Sequence, residues 1–309
     1  MPMRAFLPTG DDALVALADR DVPARADDEV LVAVEAYSVN RGEILLLAAG
    51  RQGPPGKDIA GSVIQAAADG SGPAAGTRVV AHLEGGGWAQ QACVPTGRLS
   101  VLPDAVSAVT AAALPLAGLT ALRLLRECGD LAGRRVLVTG ASGGVGHYLV
   151  ELGAQAGTAI TAVTSSPARG ERLPALGADV VVQRVEDAEG PFDVVMDAVG
   201  GETFGRALLK LGGGGLMLWY GQAGQQAAQA DFFAVAEGPG LVTIRSFLYW
   251  AGDASDGRDL TTLVALVAAG RLNPEIGLAA DWSQTPAVLA AVRDRQVRGN
   301  AVLTIGAGG

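Results

Sequence analysis

The chain has 309 residues, 49% of them hydrophobic, with a mean hydropathy of +0.30, a formal net charge of −9 and a pI near 4.8. That length suits two domains, each able to bury its own core. The acidic balance excludes a polyanion site, which needs a basic surface, and no apolar run reaches the roughly 18 uninterrupted residues of a membrane span. Two cysteines, Cys93 and Cys128, and no signal-like start at Met1-Pro2-Met3-Arg4 point to a reducing cytoplasm and a soluble chain without a disulfide framework.

Residues 1 to about 106 read as short strands separated by Gly/Pro turns: 29–39, 58–68, 77–83 and 88–95. One helix-like piece, 43–50, interrupts them. Ser107 opens a long helical pattern in which Pro115 and Gly118 predict a break between two helices. From Arg134 the pattern alternates. Strands fit 134–140, 159–165, 179–183, 192–200, 214–221 and 241–247, and helices fit 144–156, 169–176 and 202–211. Short, continuously apolar strands alternating with helices imply a doubly wound parallel sheet covered on both faces. The tail returns to mixed elements, with helices at 259–269 and 283–297 and a final strand at 300–305.

The stretch VTGASGGVG, 138–146, closes a strand and opens a helix, the setting in which glycines cradle a pyrophosphate. Gly140 permits a tight turn, Gly143 a close backbone approach, and Gly146 close helix packing, while the helix N-terminus faces the anion. Ser142, Gly144 and Val145 complete the turn. Its spacing fits two reductase patterns equally, that of two-domain dehydrogenases and that of short-chain reductases. The short-chain pattern requires a Tyr-x-x-x-Lys pair for acid catalysis. Four residues after Tyr37, Tyr148, Tyr220 and Tyr249 stand Arg41, Leu152, Gly224 and Asp253, so that reading fails. About 20 residues beyond the turn, where NAD-preferring folds carry an acid, the chain has Thr164-Ser165-Ser166-Pro167-Ala168-Arg169. Ser165 and Arg169 there favour NADPH. Arg172 is a weaker candidate. His147 reads as a solvated helix residue without a role.

The segments AYSVNRGE (36–43), PGKDIAGSV (55–63), AALPLAGLTAL (112–122), VTGASGGVG, FDVVMDAVGGET (192–203) and LVAAGRLNPEIG (267–277), taken in order, resemble the medium-chain dehydrogenase/reductase superfamily. The resemblance covers nearly the whole chain. It implies a β-rich GroES-like domain, 1–116 and 270–309, around a Rossmann domain, 117–269. Zinc-dependent members carry a Cys and a Gly-His-Glu segment where this chain has Ser38-Val39-Asn40 and Gly56-Lys57-Asp58. Cys93, Cys128, His82 and His147 stand at no metal-ligand spacing, so the resemblance narrows to the zinc-free quinone oxidoreductase and enoyl reductase branch.

That branch implies hydride transfer from NADPH to a quinone or to the β-carbon of an enone, with donors for the developing enolate oxygen. By resemblance Asn40 lies near the nicotinamide as a donor, Tyr37 is a candidate proton donor, and Thr120, Val199, Tyr220, Phe247 and Leu248 line the cofactor. By resemblance Arg41 and Asp58 are charged residues near the same cleft, with simple pairing to surface neighbours as the alternative. Where relatives show Gly-Lys the chain has Gly299-Asn300, so Asn300 is a weak cofactor contact. A homodimer through the edge strand 241–247 is also implied. The alternatives are a non-catalytic NADPH-binding sensor and an enoyl reductase acting in trans on a carrier-bound chain.

Overall fold

The computed structural model describes residues 2–251 and 255–306. The chain begins with an antiparallel ribbon, β1 (Pro2–Pro8) and β2 (Val15–Asp21). β3 (Glu29–Val39) follows, then α1 (Arg41–Ala48), β4 (Asp58–Gln65), β5 (Arg78–His82), β6 (Gln91–Pro95) and β7 (Leu99–Val101). β3 is the spine of a seven-stranded sheet, pairing antiparallel with β4, β6 and the C-terminal strand. Its β-branched run suits that place: Val30, Val32 and Val34 are all buried. On the same strand Tyr37 stacks on Trp88 with ring centroids 6.0 Å apart.

Two helices follow, α2 (Ala108–Ala112) and α3 (Pro115–Glu127). The break expected around Pro115 to Gly118 falls at Ala113 and Leu114 instead. Pro115 is the first residue of α3, a position where a missing N–H is harmless. Gly118 lies inside α3, and a Cβ there would stand 2.9 Å from Leu263 Cδ1, so the glycine admits a neighbouring leucine rather than ending the helix.

The parallel domain runs β8 (Arg135–Thr139), α4 (Gly146–Gln155), β9 (Ala159–Val163), α5 (Pro167–Gly170), β10 (Val180–Val182), β11 (Phe192–Asp197), α6 (Gly201–Leu208), β12 (Leu211–Trp219), α7 (Phe232–Glu237) and β13 (Thr243–Ser246). Every strand pair is parallel, in the order β10-β9-β8-β11-β12-β13. Leu137, Ile160, Val195 and Met217 are 0 to 1% exposed, as expected for strands covered on both faces. The order reverses between β8 and β11, and ligands of open α/β sheets bind beyond the strand ends at such a point.

The last elements are α8 (Asp256–Ala268), β14 (Ile276–Asp281), α9 (Thr285–Arg293) and β15 (Asn300–Thr304). The chain divides into Met1–Leu119 with Asp253–Gly309, and Thr120–Gly252. The return to the first unit therefore comes one helix before the expected boundary at 270. α8 packs there through Gly257, where a Cβ would meet the carbonyl oxygens of Gly97 and Leu99 at 2.8 Å, and through a 3.0 Å hydrogen bond between the Ser100 and Thr261 hydroxyls.

Candidate functional site

In the Rossmann unit the chain leaves β8 at Thr139 and turns through residues 140–145 into α4. Gly140 has φ 64°, and Gly143 N–H donates to its carbonyl at 3.0 Å. A Cβ on Gly146 would stand 2.6 Å from Ala141 Cα, Ala141 O and Gly140 O, so α4 starts hard against the turn. Among the described residues, the N–H groups of Ser142, Gly144, Val145 and Gly146 meet no acceptor. Four uncommitted donors at the positive end of a ten-residue helix form an anion cradle.

Ser142 Oγ accepts from Thr164 Oγ1 at 2.8 Å and from Arg169 Nε at 3.3 Å. The guanidinium is thus tethered to the turn, while Ser165 is exposed beside it. No acid follows β9. Arg172 lies close enough to disfavour protonation of His147. His147 itself is not solvated. It is 0% exposed, its Nδ1 lies 3.0 Å from Gly143 O, and burial pushes its pKa down to about 4.

Across the switch point, the buried Asp197 ends β11 and gathers the adjacent backbone. Its Oδ1 accepts from Thr139 Oγ1 at 2.5 Å and Val199 N at 3.3 Å, and its Oδ2 accepts from Gly200 N at 2.9 Å. Thr139 Oγ1 in turn accepts from Ala198 N at 3.1 Å. Burial raises the Asp197 pKa. Val199 then sits against Gly140, its Cγ2 3.6 Å from where a Cβ would stand. Tyr220 follows β12, with its N–H on Asp197 O at 3.0 Å. Its hydroxyl is buried and has no partner among the described residues, and burial, then Asp197, holds its proton on. Phe247 N–H donates to Trp219 O, Leu248 is exposed beyond it, and Thr120 is buried in α3. An anion cradle and an orphaned buried hydroxyl at the switch point of one sheet fit a dinucleotide.

The first unit holds a separate polar cluster. Asp58, 1% exposed, accepts from Ser38 Oγ (2.7 Å) and Asn40 Nδ2 (2.7 Å) on Oδ2, and from His82 Nδ1 (3.1 Å) and Leu116 N (3.0 Å) on Oδ1. Glu43, 4% exposed, accepts from Asn40 N and Nδ2, both at 3.1 Å, and from Gly56 N at 3.0 Å. These contacts bear on four readings from the sequence and overturn three of them, those of Asn40, Asp58 and Tyr37. Both amide hydrogens of Asn40 are committed to carboxylates, so it is not a donor to substrate. Asp58 is buried rather than a surface partner. Arg41 donates to the Val292 and Arg293 carbonyls at the C-terminal end of α9. Tyr37 is 0% exposed and 2.6 Å from Thr285 Oγ1. Thr285 donates its own proton to Trp282 O, so the Tyr37 hydroxyl must donate to Thr285 and is no proton source. A fourth correction concerns Asn300. It is buried in β15, its N–H on Glu275 O at 2.8 Å and its amide 3.4 Å from the same oxygen, which removes it from the cofactor contacts.

Burial, then the charge of Asp58, pushes the Glu43 pKa from 4.5 up to about 7. The native state therefore binds the Glu43 proton more tightly than the unfolded chain, so its contribution to stability falls as pH rises from the unfolded value through the folded one. We expect Glu43→Gln to gain on the wild type by about 3 kcal/mol between about pH 4 and about pH 8, read by urea melts at both values. A pH-independent difference overturns the assignment.

A zinc-binding dehydrogenase family profile matches residues 176–303. A chloroplast envelope quinone oxidoreductase homolog of Arabidopsis thaliana is 41% identical over 180 residues, 52% of this chain and 54% of that protein. The tomato (Solanum lycopersicum) 2-methylene-furan-3-one reductase is 31% identical over 218 residues, 64% of this chain and 56% of that one. This chain thus spans about half the length of both relatives. Polyketide synthase GfsB of Streptomyces halstedii matches 90% of this chain at 31% identity, but only 5% of its own length. The Escherichia coli quinone oxidoreductase solved with NADPH superposes with a TM-score of 0.85, at 20% identity, over 98% of this chain and 100% of that one. The chain belongs to the medium-chain dehydrogenase/reductase superfamily.

Zinc, which the name of the zinc-binding dehydrogenase family implies, does not fit this superfamily member's donor set. Asp58 has both oxygens filled by four hydrogen bonds, Asn40 offers the cluster an amide N–H, and among the described residues no group of three or more His, Cys, Asp or Glu side chains is placed to hold an ion. No described helix is long and apolar enough to cross a membrane. The residues alone did not point to Thr139, Asp197 or the burial of His147 against Gly143 O. The one signal for Asp197 was an acid ending an otherwise apolar buried strand.

Proposed function

We propose that the protein is an NADPH-dependent, zinc-independent oxidoreductase of the reducing cytoplasm that delivers hydride to a quinone or to the β-carbon of an α,β-unsaturated carbonyl. The observation that carries this reading is the turn whose Ser142 binds Arg169, with hydroxyls and no acid after β9. An anionic side chain there repels a 2′-phosphate, whereas a tethered guanidinium attracts it. The NADPH-bound Escherichia coli neighbour supports the cofactor class, and the plant relatives support the acceptor classes. NADPH, when bound, supplies the hydride. The turn's N–H groups would hold the pyrophosphate and Arg169 the 2′-phosphate, and the unpartnered Tyr220 hydroxyl would be a donor for the bound cofactor. Quinones and enones already accept hydride well, so the reaction asks for no Lewis acid.

The test is NADPH oxidation with 1,4-benzoquinone and with a simple enone, each compared with NADH. Arg169→Ala is expected to raise the NADPH KM about tenfold or more and the NADH KM less than about twofold. Equal use of both cofactors by the wild type overturns the Arg169 argument, and tight NADPH binding without turnover across a broad acceptor panel favours a non-catalytic sensor. A carrier-bound enoyl thioester is the second reading, favoured by the 90% of this chain that the Streptomyces polyketide synthase matches. Turnover of an acyl-carrier-bound enoyl chain well above that of the free enone would select it.

The proposal extends to a homodimer. β13 is the edge of its sheet and is exposed along its length, with Ile244 48% exposed and Leu241 88% exposed beside it. An uncovered apolar edge invites pairing with a second copy. Ile244→Lys is expected to convert a dimer to a monomer in sedimentation. A monomeric wild type removes this part of the reading.

A further inference from the structure

We infer that His147 is a positioning residue of the phosphate-binding turn, acting as a neutral imidazole locked in its Nδ1–H tautomer so that it fixes the Gly143 carbonyl and, through it, the direction of the turn's free N–H groups. The inference rests on the NADPH reading for its purpose but on the geometry of the turn itself for its chemistry. Nδ1 stands 3.0 Å from Gly143 O. A carbonyl oxygen only accepts, so Nδ1 must carry the hydrogen, and in a ring that full burial keeps neutral Nε2 is left with the lone pair. The ring is 0% exposed and lies 4.0 Å from the Tyr148 ring, which leaves it no alternative rotamer in solvent.

The backbone alone holds Gly143 loosely on this side, because His147 N–H reaches the same carbonyl only at 3.4 Å. The other contacts of the turn hold different atoms: Gly143 N on Gly140 O, Ala141 N on Val163 O, and Ser142 Oγ under Thr164 and Arg169. The Gly143–Gly144 peptide plane carries the Gly143 carbonyl on one side and the uncommitted Gly144 N–H on the other. Fixing the carbonyl therefore aims that N–H. A glycine at 143, with no side chain to restrict it, needs such a restraint most.

Two observations test this. The chain has only two histidines, so long-range 15N spectra of histidine-labelled apo protein resolve both rings, and His147 is expected as Nδ1–H. An Nε2–H neutral form or an imidazolium at neutral pH overturns the inference whether or not NADPH binds. The second is a variant set read by fluorescence titration of NADPH. His147→Asn places an amide N–H where Nδ1 was and is expected to bind within about threefold of wild type. His147→Gln, whose amide reaches the Nε2 position, and His147→Leu are expected to bind about tenfold more weakly, equivalent to about 1.4 kcal/mol. A folded Leu variant with wild-type affinity, or Asn as impaired as Leu, overturns it. If Leu fails to fold, the Asn and Gln pair and the tautomer still decide. A wild type that binds no NADPH refutes the cofactor reading, while the tautomer measurement still judges the restraint.

Discussion

Gly146→Ala is expected to weaken NADPH binding by at least about 100-fold in a protein that still folds. A methyl at that position would lie 2.6 Å from three backbone atoms, Ala141 Cα, Ala141 O and Gly140 O. None can swing aside as a flexible side chain would, so the first turn of α4 must lift from the loop. Overpacking of this kind costs about 1 to 3 kcal/mol of stability. The larger loss falls on binding, because shifting the helix start misdirects several N–H donors at once, and each hydrogen bond to a charged group contributes about 1.5 to 3 kcal/mol. Gly140→Ala is the control. Its φ of 64° costs an alanine about 1 kcal/mol, yet its Cβ meets only Ala198 Cβ at 3.4 Å and Val199 Cγ2 at 3.6 Å. That variant should lose less than about tenfold in affinity. Circular dichroism establishes the fold of both, and fluorescence titration ranks them. A Gly146→Ala protein that binds as tightly as Gly140→Ala shows that α4 does not aim the donors.

The contrast between these glycines bears on what the sequence could convey. The strand, turn and helix at 135–155 were legible because an apolar run, a glycine spacing and a helical pattern are all local. So was the parallel sheet, through its continuously apolar strands. Which glycine is indispensable was not legible, since it depends on how closely α4 approaches Ala141. The polar residues were harder still. Tyr37 finds its acceptor on Thr285, 248 residues away, and Asn40 finds carboxylates at positions 43 and 58. A motif records that an amide or phenol is present, whereas long-range burial decides whether its hydrogen is already committed. β14 escaped notice because its residues, Ile276–Asp281, include Gly277, Ala279 and Ala280, too small for a clear alternation. Pro115 misled through its ordinary meaning as a helix breaker, although at the first position it begins one.

Asp197→Ala is expected to lower stability by about 3 to 5 kcal/mol, a fall in Tm of roughly 10 °C, and to weaken NADPH binding about tenfold. The carboxylate is 0% exposed and accepts from the Thr139 hydroxyl, Val199 N–H and Gly200 N–H. Alanine leaves those three donors without their acceptor beside the ends of β8 and β11. The strand ends then lose the link across the switch point, Val199 loses its hold against Gly140, and the turn loosens. Asp197→Asn distinguishes charge from geometry. Its carbonyl oxygen can replace only one carboxylate oxygen, so its amide group must face donors on the other side, and the loss should remain at about 2 kcal/mol. Thr139→Val removes one donor to Asp197 and the acceptor of Ala198 N–H. In a double-mutant cycle Thr139→Val and Asp197→Ala should couple by about 1 to 2 kcal/mol, because each removes part of the same network. Additive losses would mean that the two side chains support the strand ends separately, and the Thr139–Asp197 bond would then carry no weight in joining β8 to β11.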